Sequence, residues 1–194
     1  KEHLGEGVQS SISLGALRSI PIFVLGQVES PGNLLLPPHA SITLALRAAG
    51  GITAKGSMRK VALKRGGELK ANLDLYDLLL SGDSSNDFTL EAGDVVFVPV
   101  VGPQVSLVGE VQVEAVYELY QETNLGELLQ MAGGITQGGY SKLITLKRRN
   151  DYGRFDLSTV DLSKDEKFLI EGGDIVDISK AADRFVEAVE VFGP

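Results

Sequence analysis

A chain of 194 residues, 43% hydrophobic and 23% charged, has the make-up of a folded protein with one large domain or two of ordinary size. Its formal net charge of −8 argues against a protein that coats nucleic acid, because neutralising phosphates takes clustered Lys and Arg in excess. Cysteine is absent and histidine occurs only at His3 and His39, so disulfides, a thiolate nucleophile and a multi-histidine metal site are all disfavoured.

Residues 1–19 are expected to be a linker or the end of a preceding segment, and no signal-peptide pattern opens at Lys1. The first unit is expected over residues 20–103. It starts with an apolar strand over 20–28 and a short second strand over 33–36. A helix follows, with Ile42, Ala45, Leu46 and Ala49 at the i, i+3, i+4, i+7 spacing of one face and Ser41 placed as its N-cap. The pair Gly50-Gly51 stands where that helix must stop, since glycine takes the left-handed conformation without a Cβ penalty. Next come a strand over 59–64, the turn 65-RGGE-68, a return strand over 69–74 and a helical turn over 74–80. The unit closes on 93-GDVVFVPV-100, a Gly-Asp turn feeding a strand.

The same order then returns, expected over residues 104–185. Gly109 lies 83 positions after Gly26, Gly133-Gly134 after Gly50-Gly51, Gly139 after Gly56, and Leu146-Lys147-Arg148 after Leu63-Lys64-Arg65. Strands over 105–111 and 115–119 precede a helix with Leu125, Leu128, Leu129 and Ala132 on one face. Asn124 and Glu127 make a capping box at its start. A strand over 142–148, the turn 149-RNDYG-153, a return strand over 154–162 and 173-GDIVDIS-179 complete the copy. Gly173-Asp174 follows Gly93-Asp94 by only 80 positions, so about three residues are lost in the middle of the second copy. Residues 186–194, ending in 190-EVFGP-194, match the opening of a third copy, and the chain is expected to be a piece of a longer protein. The fold class is α+β: two tandem small mixed sheets, each with one short helix.

Candidate sites are few. A phosphate cradle places its glycines before a helix and adds Lys-Ser/Thr, whereas Gly50-Gly51 and Gly133-Gly134 follow helices, so they are expected to be structural. Asp94 and Asp174 are repeat equivalents in separate units. They are expected to hold turns through side-chain-to-backbone bonds, not to straddle one bond as a glycosidase pair does. No nucleophile elbow surrounds either histidine, and the expectation is of no enzyme, no metal and no cofactor. Lys64 and Arg65, with Lys147, Arg148 and Arg149, form basic positions at equivalent hairpins in an acidic chain. They are either solvated strand ends or contacts to carboxylates of a partner or of acidic sugars. Tyr140, just past the second glycine pair, is an exposed-ring candidate for a ligand contact, and Tyr152 lies in a turn. The apolar opening strands are either core strands or edges that pair with a neighbour. The longest apolar run, 95-VVFVPVV-101, falls far short of the roughly 20 residues of a membrane span.

The V-x-G opening, Pro31-Gly32, the Ala-Gly-Gly-Ile-Thr helix stop, the Leu-Lys-Arg strand, Asp74-Leu75 and the closing GDVVFVP together resemble the soluble-ligand-binding β-grasp (SLBB) domain. The tandem arrangement, with 74-DLYDLLLSGD-83 and 116-VYEL-119, resembles the periplasmic part of outer-membrane polysaccharide export proteins. The resemblance implies a β-grasp fold for each unit. It also implies a ring-forming, non-catalytic channel component that carries capsular or exopolysaccharide across the periplasm, anchored at the outer membrane in the full-length protein. Further copies of itself, the exported polysaccharide and an inner-membrane polysaccharide co-polymerase are the partners it implies, and the alternative is a module that captures a saccharide or other small ligand. The second copy departs from the pattern at Glu114-Ala115, where the first has Pro31-Gly32.

Overall fold

The structure, a computed structural model, describes residues 18–120 and 124–181. Residues 1–17, including His3, and the expected opening of a third copy lie outside the described residues. In the first unit β1 (Ile20–Gly26) and β2 (Gly32–Leu36) form a hairpin, α1 (Ile42–Ala48) crosses over, and β3 (Val61–Arg65) and β4 (Glu68–Leu73) form a second hairpin. α2 (Leu75–Ser81) and β5 (Val95–Val98) complete the unit. The sheet order is β2-β1-β5-β3-β4, with β1 and β5 parallel and the other neighbours antiparallel.

The second unit repeats this plan with β6 (Gln104–Gly109), β7 (Ala115–Glu118), α3 (Leu125–Met131), β8 (Gly139–Arg149), β9 (Phe155–Val160) and β10 (Ile175–Lys180), in the order β7-β6-β10-β8-β9. One helix lying across a five-stranded mixed sheet is the β-grasp arrangement expected for each copy. The opening strands β1 and β6 are paired on both sides, so they are core strands; the edges fall to β2, β4, β7 and β9.

Each helix buries the face that its spacing marks. Ile42, Ala45, Leu46 and Ala49 pack with Ile22, Val24, Val61, Leu63, Val96 and Val98. Leu125, Leu128, Leu129 and Ala132 pack with Val105, Leu107, Ile144, Leu146, Val176 and Ile178. The cores therefore match position for position, with volume exchanged between partners such as Ala45 and Leu128. The helices start as expected: Ser41 Oγ accepts from the Leu44 N–H and Asn124 Oδ1 from the Glu127 N–H.

Both helices end in a Schellman motif. Gly50 N–H donates to Arg47 O and Gly51 N–H to Leu46 O; Gly133 N–H donates to Gln130 O and Gly134 N–H to Leu129 O. All four glycines have positive φ, from 78° to 96°. The stop is also stitched to the chain leaving the first strand, since Glu29 N–H donates to Gly51 O and Gln112 N–H to Gly134 O. The string Ala-Gly-Gly-Ile-Thr is thus a helix stop bonded to the neighbouring loop.

The copies differ where their sequences do. β8 starts at Gly139, three residues before the strand expected over 142–148, because β10 runs on to Lys180 and pairs with Gly139. In the first unit Pro99, which has no N–H to donate, follows β5, and the equivalent pairing survives only as an isolated bridge between Gly56 and Val100. The offset also has two parts. It grows from 83 to 87 between Leu73 and Val160 through a longer β8–β9 turn, then falls to 80 between Leu90 and Ile170 because α2 has no counterpart.

Gly26 and Gly109 lie at φ 91° and 89°, and an added Cβ would overlap the Val98 carbonyl in one unit and the Ile178 carbonyl in the other. Gly26→Ala and Gly109→Ala are each expected to lower stability by about 2–4 kcal/mol, backbone strain adding to a forced carbonyl shift. Urea unfolding midpoints measure this.

Candidate functional site

The basic positions named from sequence divide into two kinds. Arg65, at the end of β3, donates from Nε and Nη2 to the two carboxylate oxygens of Asp94, both at 2.8 Å, and from Nη1 to Glu91 at 2.6 Å. Arg148 does the same on β8: Nε to Asp174 at 2.8 Å, Nη2 to Asp174 at 2.7 Å and Nη1 to Glu171 at 2.8 Å. Asp94 and Asp174 are buried, and each also accepts the N–H of the glutamate three residues before it, at 2.8 Å. Each arginine fork thus fastens the Glu-x-Gly-Asp turn of its own unit to the strand beside it. The carboxylate partners that an arginine fork invites are present, and they lie within the same unit.

Lys64, Lys147 and Arg149 remain on the surface of the hairpins. The Lys64 amine sits 5.4 Å from the Phe97 ring, Lys147 is 3.8 Å from Asp177, and the Arg149 guanidinium lies 5.3 Å from the Phe155 ring. Tyr140 is exposed at the opposite end of β8. Eight residues of strand, about 26 Å, separate it from Arg148. The structure therefore does not gather the named positions into one site.

What it does gather lies between the units: Arg59, which was not singled out from sequence, and Asp74, Tyr76, Tyr117 and Glu118, which the sequence marked only as parts of the strings 74-DLYDLLLSGD-83 and 116-VYEL-119. Arg59 is 7% exposed. Its guanidinium donates to Asp74 Oδ2 from Nε and forms an ion pair from Nη2, both at 2.9 Å, while Nη1 donates to the backbone carbonyl of Glu118 in the second unit at 3.2 Å. It stacks on the Tyr76 ring at 4.7 Å and meets Met131 Sδ at 3.8 Å. Glu118, also buried, accepts from the Met58 N–H at 3.0 Å and from the Gly102 N–H of the linker at 2.8 Å, and its own N–H donates to Tyr76 Oη at 3.0 Å. Tyr76 then meets Tyr117 edge to face at 6.4 Å. Burial pushes the Tyr76 phenol up, and that of Tyr117 as well, so both are neutral donors and acceptors at ordinary pH.

One buried cation, two carboxylates and two tyrosines thus span the joint, with the fixed charges met by partners. A sequence signal existed, namely the disagreement between the copies. Arg59 stands against Lys142, Tyr76 against Ser163, and Glu118 against Leu35. The equivalence is confirmed by matching backbone bonds, Leu75 N–H to Met58 O and Leu162 N–H to Ser141 O. α2 is part of the same signal, because only the first unit has it and it supplies Tyr76.

Two cavities flank Arg59. One, about 600 Å³, is lined by Tyr76, Asp77, Leu80, Ser81 and Gln130 among others; the second, about 570 Å³, is lined by Lys60, Asn72, Asp77, Asn86 and Tyr120 among others. Among the described residues no group of three or more acidic, histidine or cysteine side chains is placed to hold a metal ion.

Two expected outcomes follow. Burial works to raise the Asp94 carboxyl, but the Arg65 fork and the Glu91 N–H outweigh it, and its pKa lies below the ordinary carboxylate value. A folded value below the unfolded one gives stability that is complete above the unfolded pKa and lost as pH falls through the folded one. Asp94→Asn is therefore expected to flatten the acid limb of a stability-against-pH curve, measured by urea unfolding between about pH 5 and pH 2. Glu118→Ala strands two backbone N–H groups and is expected to cost about 1–3 kcal/mol. Calorimetry should then resolve two transitions where the wild type shows one, and small-angle scattering should show a larger radius of gyration.

Residues 21–98 match the SLBB domain family, and residues 104–154 match it a second time. The second match stops inside the β8–β9 turn, whereas β9 and β10 continue the sheet to Lys180 in the same order as in the first unit. The chain belongs to the SLBB domain family and carries that domain twice in tandem.

Proposed function

We propose that these two domains are a non-catalytic scaffold of a capsular or exopolysaccharide export channel, periplasmic and held at the outer membrane in the full-length protein. SLBB domains are found in polysaccharide export proteins, which makes this the natural class. The observation that carries the scaffold reading is the joint. The Glu118 carboxylate of the second domain accepts from the Met58 and Gly102 N–H groups, its carbonyl accepts from Arg59 and its own N–H donates to Tyr76; these bonds fasten one domain to the next, which suits a wall element better than two independently mobile binding modules.

Self-association is supported by the outer face of the first sheet, opposite α1. Phe23 on β1 is 40% exposed, and Leu25 and Phe97 beside it are nearly as open; Leu35 on β2 is 74% exposed. Register places Leu25 against Phe97, Phe23 against Val95 and Leu35 against Pro21, so these side chains form one apolar stripe across the strands. The equivalent positions of the second sheet hold Ser106, Asp177 and Glu118 in place of Phe23, Phe97 and Leu35. The fold therefore does not require apolar groups there, and a stripe of this kind marks a contact surface. Its occupant is another copy of this chain. The Glu118 corner of the second sheet already seats a β-grasp domain, and the Leu35 corner of the first is its repeat equivalent. Head-to-tail contacts of this kind form rings where the rotation between copies closes. In this reading Lys64, Lys147, Arg149 and Tyr140 are exposed positions available to the exported polymer or to an inner-membrane co-polymerase.

The test is imaging of the full-length protein. Symmetric rings are expected from the wild type. The variant Phe23→Ser/Phe97→Asp, which installs the second copy's residues, is expected to keep the thermal midpoint within a few degrees and to lose assembly. A monomeric wild type, or a fully assembled variant, overturns the reading, as would release of reducing sugar from the polymer by the chain itself.

A further inference from the structure

Each half of the joint has a repeat equivalent that the joint does not use. The first unit contributes Met58, Arg59 and Lys60 beside the start of β3, and their equivalents in the second unit are Ser141, Lys142 and Leu143 on β8. The second unit contributes Tyr117, Glu118 and Tyr120 at the end of β7, and their equivalents in the first are Leu34, Leu35 and Pro37 at the end of β2. Besides its closed joint, each molecule therefore carries one open corner of each kind.

The side chains of the two open corners have changed together. In the joint the Lys60 amine lies 4.9 Å from the Tyr120 ring, and Glu118 accepts the Met58 N–H at 3.0 Å. The open corners hold Leu143 in place of Lys60, Pro37 in place of Tyr120 and Leu35 in place of Glu118. Leu143 is 46% exposed and Leu35 74%, and Pro37 is exposed as well. A corner that faced only water would gain nothing from these exchanges. Made on both corners, they match: the leucine of one stands where it would meet the apolar side chains of the other.

The backbone part of the joint survives the exchange. Glu118 offers its N–H and carbonyl to the first unit from the edge strand β7. Leu35 stands in the same register on the edge strand β2, opposite Pro21, which has no N–H. The Leu35 N–H and carbonyl therefore turn away from β1 toward the open edge. Lys142, which is exposed, replaces Arg59 as the cation that can reach such a carbonyl. Asp161, the equivalent of Asp74, pairs with Lys164 and accepts from Ser163.

We propose that the β8 corner of one molecule seats on the β2 corner of the next in the arrangement of the internal joint. Leu143 then meets Pro37, Leu35 lies beside Ser141, and Lys142 donates to the Leu35 carbonyl. The proposal rests on the scaffold reading above and supplies the counterpart of the stripe that ends in Leu35. Along the assembly one geometry recurs, ionic inside each chain and apolar between chains. The difference keeps the two contacts from exchanging, because the β2 corner offers no carboxylate where the joint has Glu118.

The experiment is cross-linking of the full-length protein carrying Pro37→Cys/Leu143→Cys with a short bismaleimide, read by denaturing electrophoresis. These 194 residues contain no cysteine of their own. A ladder of covalent multimers is expected from the double variant and none from either single variant. Leu143→Lys, which restores the first unit's residue at an exposed position, is expected to weaken assembly about tenfold or more in sedimentation, with an unchanged unfolding midpoint. A dimer band from a single variant reveals a two-fold contact and overturns the proposal, as does a Leu143→Lys protein that assembles like the wild type. Imaging separates the two readings. Rings without the ladder overturn this contact alone, whereas a monomeric wild type overturns the scaffold reading and this contact with it.

Discussion

The arrangement of the two domains depends on how the charge of Arg59 is accommodated. A guanidinium removed from water is costly unless every direction of donation is met, and here Asp74, the Glu118 carbonyl and the Tyr76 ring meet it from two domains at once. Glu118 repeats the logic with opposite sign, its carboxylate capped by the Met58 and Gly102 N–H groups. Neither residue is satisfied by one domain alone. The relative placement of the domains is therefore tied to desolvated polar groups: separating them would leave the Arg59–Asp74 pair together in the first domain but take the Glu118 carbonyl from Arg59 and two N–H donors from the Glu118 carboxylate.

The same chemistry serves a local purpose inside each unit. Arg65 with Asp94 and Arg148 with Asp174 are the same fork built twice, and each pins the Glu-x-Gly-Asp turn that launches the last strand. That strand lies between the first strand and the second hairpin, so the fork holds the centre of the sheet in register. Repeat equivalence is the mark of such structural roles. Where both copies keep a residue, the fold requires it. Where they part, as at Arg59 and Lys142, Phe23 and Ser106, or α2 and its missing counterpart, the difference belongs to what one unit does and the other does not.

This explains how much was legible in advance. Period and punctuation exposed the strands, the helix faces, the caps at Ser41 and Asn124 and the glycine stops, because each depends on neighbours within about a dozen residues. The turn role of Asp94 and Asp174 was legible too, since a Gly-Asp before a strand forms a side-chain-to-backbone bond locally. The partner of that aspartate was not, because Arg65 reaches it only when β3 lies beside β5, 29 residues apart in sequence. The joint was least legible of all. Arg59 read as the start of a strand and Glu118 as a position in a short one, and their meeting spans 59 residues and a domain boundary.

The sequence alone determined that this chain is one design used twice, with matched cores, matched helix stops and a common family, because these follow from short-range periodicity and backbone geometry. Tertiary structure decided the rest. It committed Arg65 and Arg148 to their own turns, held Tyr140 away from Arg148 along a single strand, put Phe23, Phe97 and Leu35 on the outer face of one sheet where the other has Ser106, Asp177 and Glu118, and closed the domains around Arg59. These outcomes turn on which distant side chains share a desolvated space, and no local pattern encodes that.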